Sequence, residues 1–250
     1  MSETLLWSAA GLGLSSLMGA CLGLVFRKIP HKWNDIFLGF CAGMMLAASL
    51  VCLLQPAVER VEGWGVLEVV AGVVAGVILI GLLDHLTPHI HNLAGIDPEK
   101  HHNKSIDKIL LFVMAIAIHK FPEGMATGIA IDDTDPGNSL AITLAIALQN
   151  IPEGMVVVTP LMLAGAKFGK VAAVSLIIAC LEMAGAFTGY FLGSITQAIL
   201  PGMLGLAGGA MLYVISDEMI PETHAHGYQK QATYALVAGV MLMLVIERLV

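Results

Sequence analysis

Residues 115–125 read AIAIHKFPEGM and residues 145–155 read AIALQNIPEGM. The two stretches align without a gap, pairing His119 with Gln149, Lys120 with Asn150, Pro122 with Pro152, Glu123 with Glu153 and Gly124 with Gly154. His119 and Glu123 are four residues apart, as are Gln149 and Glu153, so in a helix each pair projects from one face. Proline lacks an N–H. Pro122 therefore releases the carbonyl of Ile118 and Pro152 that of Leu148, which predicts an opening in each helix just ahead of its polar residues. Imidazole and carboxylate side chains in one place suit a borderline divalent cation such as Zn²⁺, Fe²⁺, Mn²⁺ or Cd²⁺. Cu(I) would want sulfur, and Mg²⁺ an all-oxygen shell. Met125 and Met155, which close the two copies, read as core side chains rather than thioether ligands.

These polar residues interrupt a very apolar chain. Of its 250 residues 57% are hydrophobic and 12% charged, and the mean hydropathy is +0.84. That is the composition of an integral membrane protein. A bilayer core about 30 Å thick needs roughly 20 apolar residues per helical span. Eight spans fit, near Leu5–Phe26, Asp35–Leu54, Gly65–Leu83, Lys108–Ile131, Asn138–Ala164, Gly169–Gly193, Gly202–Ile220 and Tyr228–Arg248. The expected architecture is an all-α single transmembrane domain over residues 1–250, with one long connection at 84–107. The first run carries Glu3 and no Lys or Arg ahead of it, so it reads as a span and not a cleaved signal. Cys21, Cys41, Cys52 and Cys180 fall inside spans without CxxC spacing and read as small apolar residues.

Orientation follows from the basic residues, which collect in cytoplasmic loops. With both termini outside, the inner side receives Arg27, Lys28, Lys32, Lys100, Lys104, Lys108, Lys167, Lys170 and Lys230, and the outer side only Arg60 and Arg248. The 84–107 connection, with five of the nine histidines (His85, His89, His91, His101 and His102), is then cytoplasmic. The outer loops carry Glu59, Glu62, Asp132, Asp133 and Asp135, either a rim that attracts cations or solvated helix ends. Gly11, Ser15, Gly19 and Gly23 in the first span, and Gly72 and Gly76 in the third, have the spacing of close helix packing.

With the spans drawn this way, both motif copies lie near helix midpoints and run antiparallel, and Glu182 sits near the middle of the sixth span. An ionisable side chain at that depth costs about 3 kcal/mol even on lenient scales, so three carboxylates and an imidazole together point to a bound cation; for Glu182 by itself a helix–helix hydrogen bond is the alternative. Repeated segments with polar midplane residues mark transporter binding sites.

The chain resembles the prokaryotic members of the ZIP (Zrt-, Irt-like) family of divalent metal transporters. The likeness rests on the eight spans, the outside termini, the histidine-bearing loop and the HxxPEG and QNxPEG motifs. It implies a 3+2+3 helix arrangement with an inverted repeat, and uptake of a divalent metal into the cytoplasm by an elevator-like movement of one helix bundle against another. Zinc is the expected cargo, with iron, manganese or cadmium as alternatives. It further implies a primary metal site at His119, Glu123, Gln149 and Glu153, and a second at Lys120, Asn150 and Glu182, with Glu123 and Glu153 bridging the two. Lys120 departs from the family, which often has a neutral ligand there. Its ammonium places a tethered positive charge where a second metal would bind. Asp217, Glu218 and Glu222, with His224 and His226, look like an exit route; a solvated helix end is the alternative.

The partners expected are the metal ion, the bilayer and, by resemblance, a second copy of the chain. Nucleic acid, a resident cofactor and a catalytic constellation are not. An intramembrane metalloenzyme would want HExxH, which is absent, or two Glu-x-x-His motifs on core helices, whereas the one match, Glu99 with His102, lies in the 84–107 loop. A metal sensor stays open as a further alternative. There is no Walker motif. None is needed, since a potential of about 100 mV, inside negative, favours divalent entry by about 4.6 kcal/mol.

Overall fold

The computed structural model describes residues 3–26, 30–93, 120–131, 136–163, 166–195 and 199–249. Among them the chain is all helical, as expected where hydrocarbon leaves every backbone N–H and C=O to be satisfied within its own segment. The helices are α1 (Glu3–Phe26), α2 (His31–Glu59), α3 (Val66–Leu93), α4 (residues 120–131 of the fourth predicted span), α5 (Pro136–Leu163), α6 (Phe168–Ile195), α7 (Leu200–Thr223) and α8 (Gln229–Leu249). Among the described residues, 7 helices are long and apolar enough to cross a membrane. The described part of α4 is too short to count among them. Helix α3 runs on to Leu93, past the predicted span end at Leu83, and residues 94–107 of the predicted loop lie outside the described residues.

At Pro152 the helix differs from expectation, while Ile118, whose carbonyl Pro122 is expected to release, lies outside the described residues. Helix α5 stays α-helical straight through Pro152, so losing one N–H from the ladder does not open it. The wider π turns lie elsewhere: Ala48–Leu54 in α2, just ahead of Pro56, and Ile215–Met219 in α7, just ahead of Pro221. There the ladder re-registers around the missing donor.

The helices pack as two groups. Helix α1 lies along α5 and α6, and α4 rests on α6; α2 lies along α8, α3 along α7, and α2 also meets α7. Between the groups, α2 and α8 meet α5, and Met125, Ala126, Ile129 and Ala130 of α4 share one core cluster with residues of α2 and α7. Helix α3 turns Val70, Val74, Ile78 and Leu82 outward at i, i+4 spacing, an apolar stripe suited to lipid.

The glycine of each motif copy sets one of these packings. A Cβ on Gly124 would collide with the carbonyl oxygen of Glu182 on α6. One on Gly154 would sit 2.8 Å from the Ala20 nitrogen and 2.9 Å from the Ser16 carbonyl oxygen on α1. Without side chains at these points, α4 and α5 press backbone to backbone on the helices that carry Glu182 and Ser16.

Candidate functional site

The two motif copies meet at the side chain of Lys120. Its Nζ donates to Glu123 Oε2 at 2.6 Å, to Glu153 Oε2 at 2.6 Å and to Asn150 Oδ1 at 2.7 Å. An ammonium has three N–H groups, so these acceptors satisfy it fully. On one side Gln149 Nε2 donates to Glu123 Oε1 at 3.2 Å. On the other, Asn150 Nδ2 donates to Glu182 Oε1 at 2.7 Å, and the Ser16 hydroxyl to Glu182 Oε2 at 2.6 Å. Asn150 Nδ2 also lies 3.1 Å from Ser15 Oγ and 3.3 Å from the Leu12 carbonyl oxygen.

Every residue of this network is buried: Glu123, Gln149, Asn150 and Glu182 are 0% exposed, Glu153 1% and Lys120 2%. Charges this deep persist only when paired and hydrogen-bonded, and each carboxylate here accepts from at least one strong donor. Gln149 Oε1 is buried with no hydrogen-bond partner among the described residues, an acceptor available to a cation. Beside the network a small cavity is lined by Ser16, Lys120, Asn150, Glu153 and Ser175.

Six of the residues singled out from sequence thus come together: Lys120, Glu123, Gln149, Asn150, Glu153 and Glu182. His119 lies outside the described residues. Among the described residues no three His, Cys, Asp or Glu side chains form a group that could hold a metal. What Glu123 and Glu153 converge on there is the ammonium of Lys120.

Glu222 stands apart from this network, at the end of α7, with its side chain 42% exposed. Its neighbour is His226, whose Nε2 is 3.9 Å from Glu222 Oε1. The other ring nitrogen of His226, Nδ1, lies 3.0 Å from Oδ1 of the buried Asp35 on α2, and the His31 ring stacks on that of His226 at a centroid distance of 4.6 Å. Asp217 and Glu218 fall on the π turn of α7. His85, His89 and His91 fall on the final turns of α3, while His101 and His102 lie outside the described residues.

Sequence reasoning missed three contributors. Ser15 looked like one member of a packing stripe and Ser16 carried no signal, yet both touch the polar network. Cys41, classed as an apolar filler, donates from Sγ to the Gln149 carbonyl oxygen at 3.4 Å and links α2 to the second motif copy. The clue the sequence offered was the helical spacing of Ser15 with Gly11 and Gly19.

The sequence profile described as ZIP zinc transporter matches residues 97–247. The chain is 38% identical over 250 residues to zinc transporter GufA of Myxococcus xanthus, spanning 95% of this chain and 98% of that protein. It is 38% identical over 260 residues to zinc transporter ZIPB of Bordetella bronchiseptica, spanning 97% and 79%. To zinc transporter ZupT of Chlorobium chlorochromatii it is 32% identical over 246 residues, spanning 92% and 91%.

Proposed function

The chain belongs to the ZIP zinc transporter family, and from that premise we propose that it carries divalent metal ions into the cytoplasm through the buried site on α4 and α5. It is a multi-pass protein of the cell membrane, and its relatives are transporters, not enzymes. Neither the metalloenzyme nor the sensor alternative is favoured. Zinc is the first candidate cargo because GufA, ZIPB and ZupT are named for it. The ligand chemistry would also accept iron, manganese or cadmium. The ion is bound by His119, Glu123, Gln149 and Glu153, in an eight-helix, 3+2+3 inverted-repeat architecture with both termini outside, working as a homodimer.

The observation that carries this reading is the meeting of two motif copies around buried carboxylates that belong to one helix group. All the side chains that Lys120, Asn150 and Glu182 touch by described hydrogen bonds sit on α1, α4, α5 or α6. Glu123 and Glu153, at 0% and 1% exposure, are buried away from solvent in this conformation. Release therefore needs a movement. The network travels intact if α1, α4, α5 and α6 slide together against α2 and α8, the elevator form of alternating access. No ATP is required, since the membrane potential draws a divalent cation inward.

The test is uptake of radioactive Zn²⁺ into proteoliposomes. Glu153→Gln keeps the shape and removes one negative ligand, so uptake falls at least tenfold while the protein remains monodisperse. Near wild-type uptake by that variant would remove α5 from the pathway.

A further inference from the structure

We propose that Lys120 is a built-in second cation, so that the site takes one divalent ion per chain and not two. The proposal rests on the metal-transport reading above. It starts from the way the carboxylate oxygens are shared out. Oε2 of Glu123, Oε2 of Glu153 and Oδ1 of Asn150 converge from both motif copies on one point, and Lys120 Nζ occupies it at 2.6, 2.6 and 2.7 Å. Two carboxylates and an amide oxygen are the donors a second metal would need, and the ammonium has taken the lone pairs that such a metal would use.

Three further observations fix the lysine in this role. Its side chain is 3% exposed, so it does not snorkel towards either membrane face. All three of its N–H groups are used, so no donor is spare to draw it away. Asn150 is committed on both ends, with Oδ1 to Lys120 and Nδ2 to Glu182, so that Glu182 faces an amide and the Ser16 hydroxyl and, among the described residues, no cation of its own.

Charge bookkeeping agrees. Glu123, Glu153 and Glu182 against one ammonium leave a formal charge of −2, which a single divalent ion neutralises. A second ion would leave the buried cluster at +2, beside an ammonium that cannot depart because it is tethered. A loaded site of zero net charge is also the form that crosses an apolar barrier with least penalty. The ion binds on the Gln149 face, where Glu123 turns its other oxygen, Oε1.

The test counts Zn²⁺ bound to the purified full-length protein by equilibrium dialysis and elemental analysis, as the number of ions lost when Glu153→Gln is introduced. Counting the loss excludes ions held by the histidines of residues 84–107. The wild type loses one ion, Lys120→Arg also loses one, and Lys120→Asn loses two. Lys120→Gln gives a second neutral variant with the same expectation should the asparagine variant prove unstable. A loss of two ions in the wild type, or of only one in both neutral variants, overturns the proposal and leaves the transport reading standing. A loss of none in the wild type overturns the transport reading itself.

Discussion

Lys120 and Asn150 hold equivalent places in the two copies of the repeat, and their side chains are bonded to each other, Nζ to Oδ1 at 2.7 Å. The repeat therefore does more than supply two similar sets of ligands. One copy contributes a cation and the other an amide, and the amide's second end reaches Glu182 at 2.7 Å. A negative and a positive charge on different helices are joined through one neutral side chain that is 0% exposed.

Asn150→Leu removes that joint without changing the side-chain volume much. It takes an acceptor from Lys120 and a donor from Glu182, leaving two buried charges each short of a partner. A loss of that kind costs about 1–3 kcal/mol per group. The melting temperature of the detergent-solubilised protein should fall by several degrees, and Ser16→Ala, which takes a single donor from Glu182, should lower it by less. Equal melting temperatures for Asn150→Leu and the wild type would mean that the amide does not bridge the charges.

Gly154 makes a separate prediction, because its role is contact and not chemistry. A Cβ there meets the Ala20 nitrogen at 2.8 Å and the Ser16 carbonyl oxygen at 2.9 Å, both backbone atoms that cannot step aside. Gly154→Ala should therefore push α1 from α5, at the roughly 1–3 kcal/mol typical of overpacking, and move Ser16 away from Glu182. Gly11→Ala on α1 is the control, since a Cβ there meets nothing within 4 Å among the described residues. It should be neutral or slightly stabilising, because alanine is the better helix former. A thermal-unfolding series of the two variants separates them, and similar losses in both would refute the contact argument.

Gly11 also marks a limit of what spacing alone can say. Spacing placed Gly11, Ser15, Gly19 and Gly23 in one packing stripe. In the structure Gly19 and Gly23 do face α5, but Gly11 faces open space and Ser15 bonds Asn150. Small residues mark where a neighbour could approach, and only the three-dimensional packing decides whether one does. The helices themselves were legible because an apolar run in hydrocarbon has few other choices. The convergence of Glu123, Asn150 and Glu153 was legible too, since the repeat announced it. Two things were out of reach. Pro152 and Pro56 look alike in sequence, yet only the second is accompanied by a π turn. Asp35 read as the start of a span, with nothing local to pair it with a histidine 191 residues away.

That pair supports the last prediction. Asp35 is 2% exposed, its Oδ1 is 3.0 Å from His226 Nδ1, and its Oδ2 is buried without a hydrogen-bond partner among the described residues. The histidine, whose side chain is 30% exposed, comes from the segment joining α7 to α8, so the contact ties that segment to the start of α2. The two partners are unequal, and the inequality gives the test its form. Removing the imidazole with His226→Ala strands a buried carboxylate, which costs more than the bond was worth, whereas removing both partners strands nothing. The double variant Asp35→Ala, His226→Ala should therefore unfold at a higher temperature than His226→Ala alone, with a coupling of about 1.5 kcal/mol, at the low end for charged hydrogen bonds because one partner is partly solvated. A double-mutant cycle read by thermal unfolding measures it. Additive losses would show that the two side chains are neighbours without being partners.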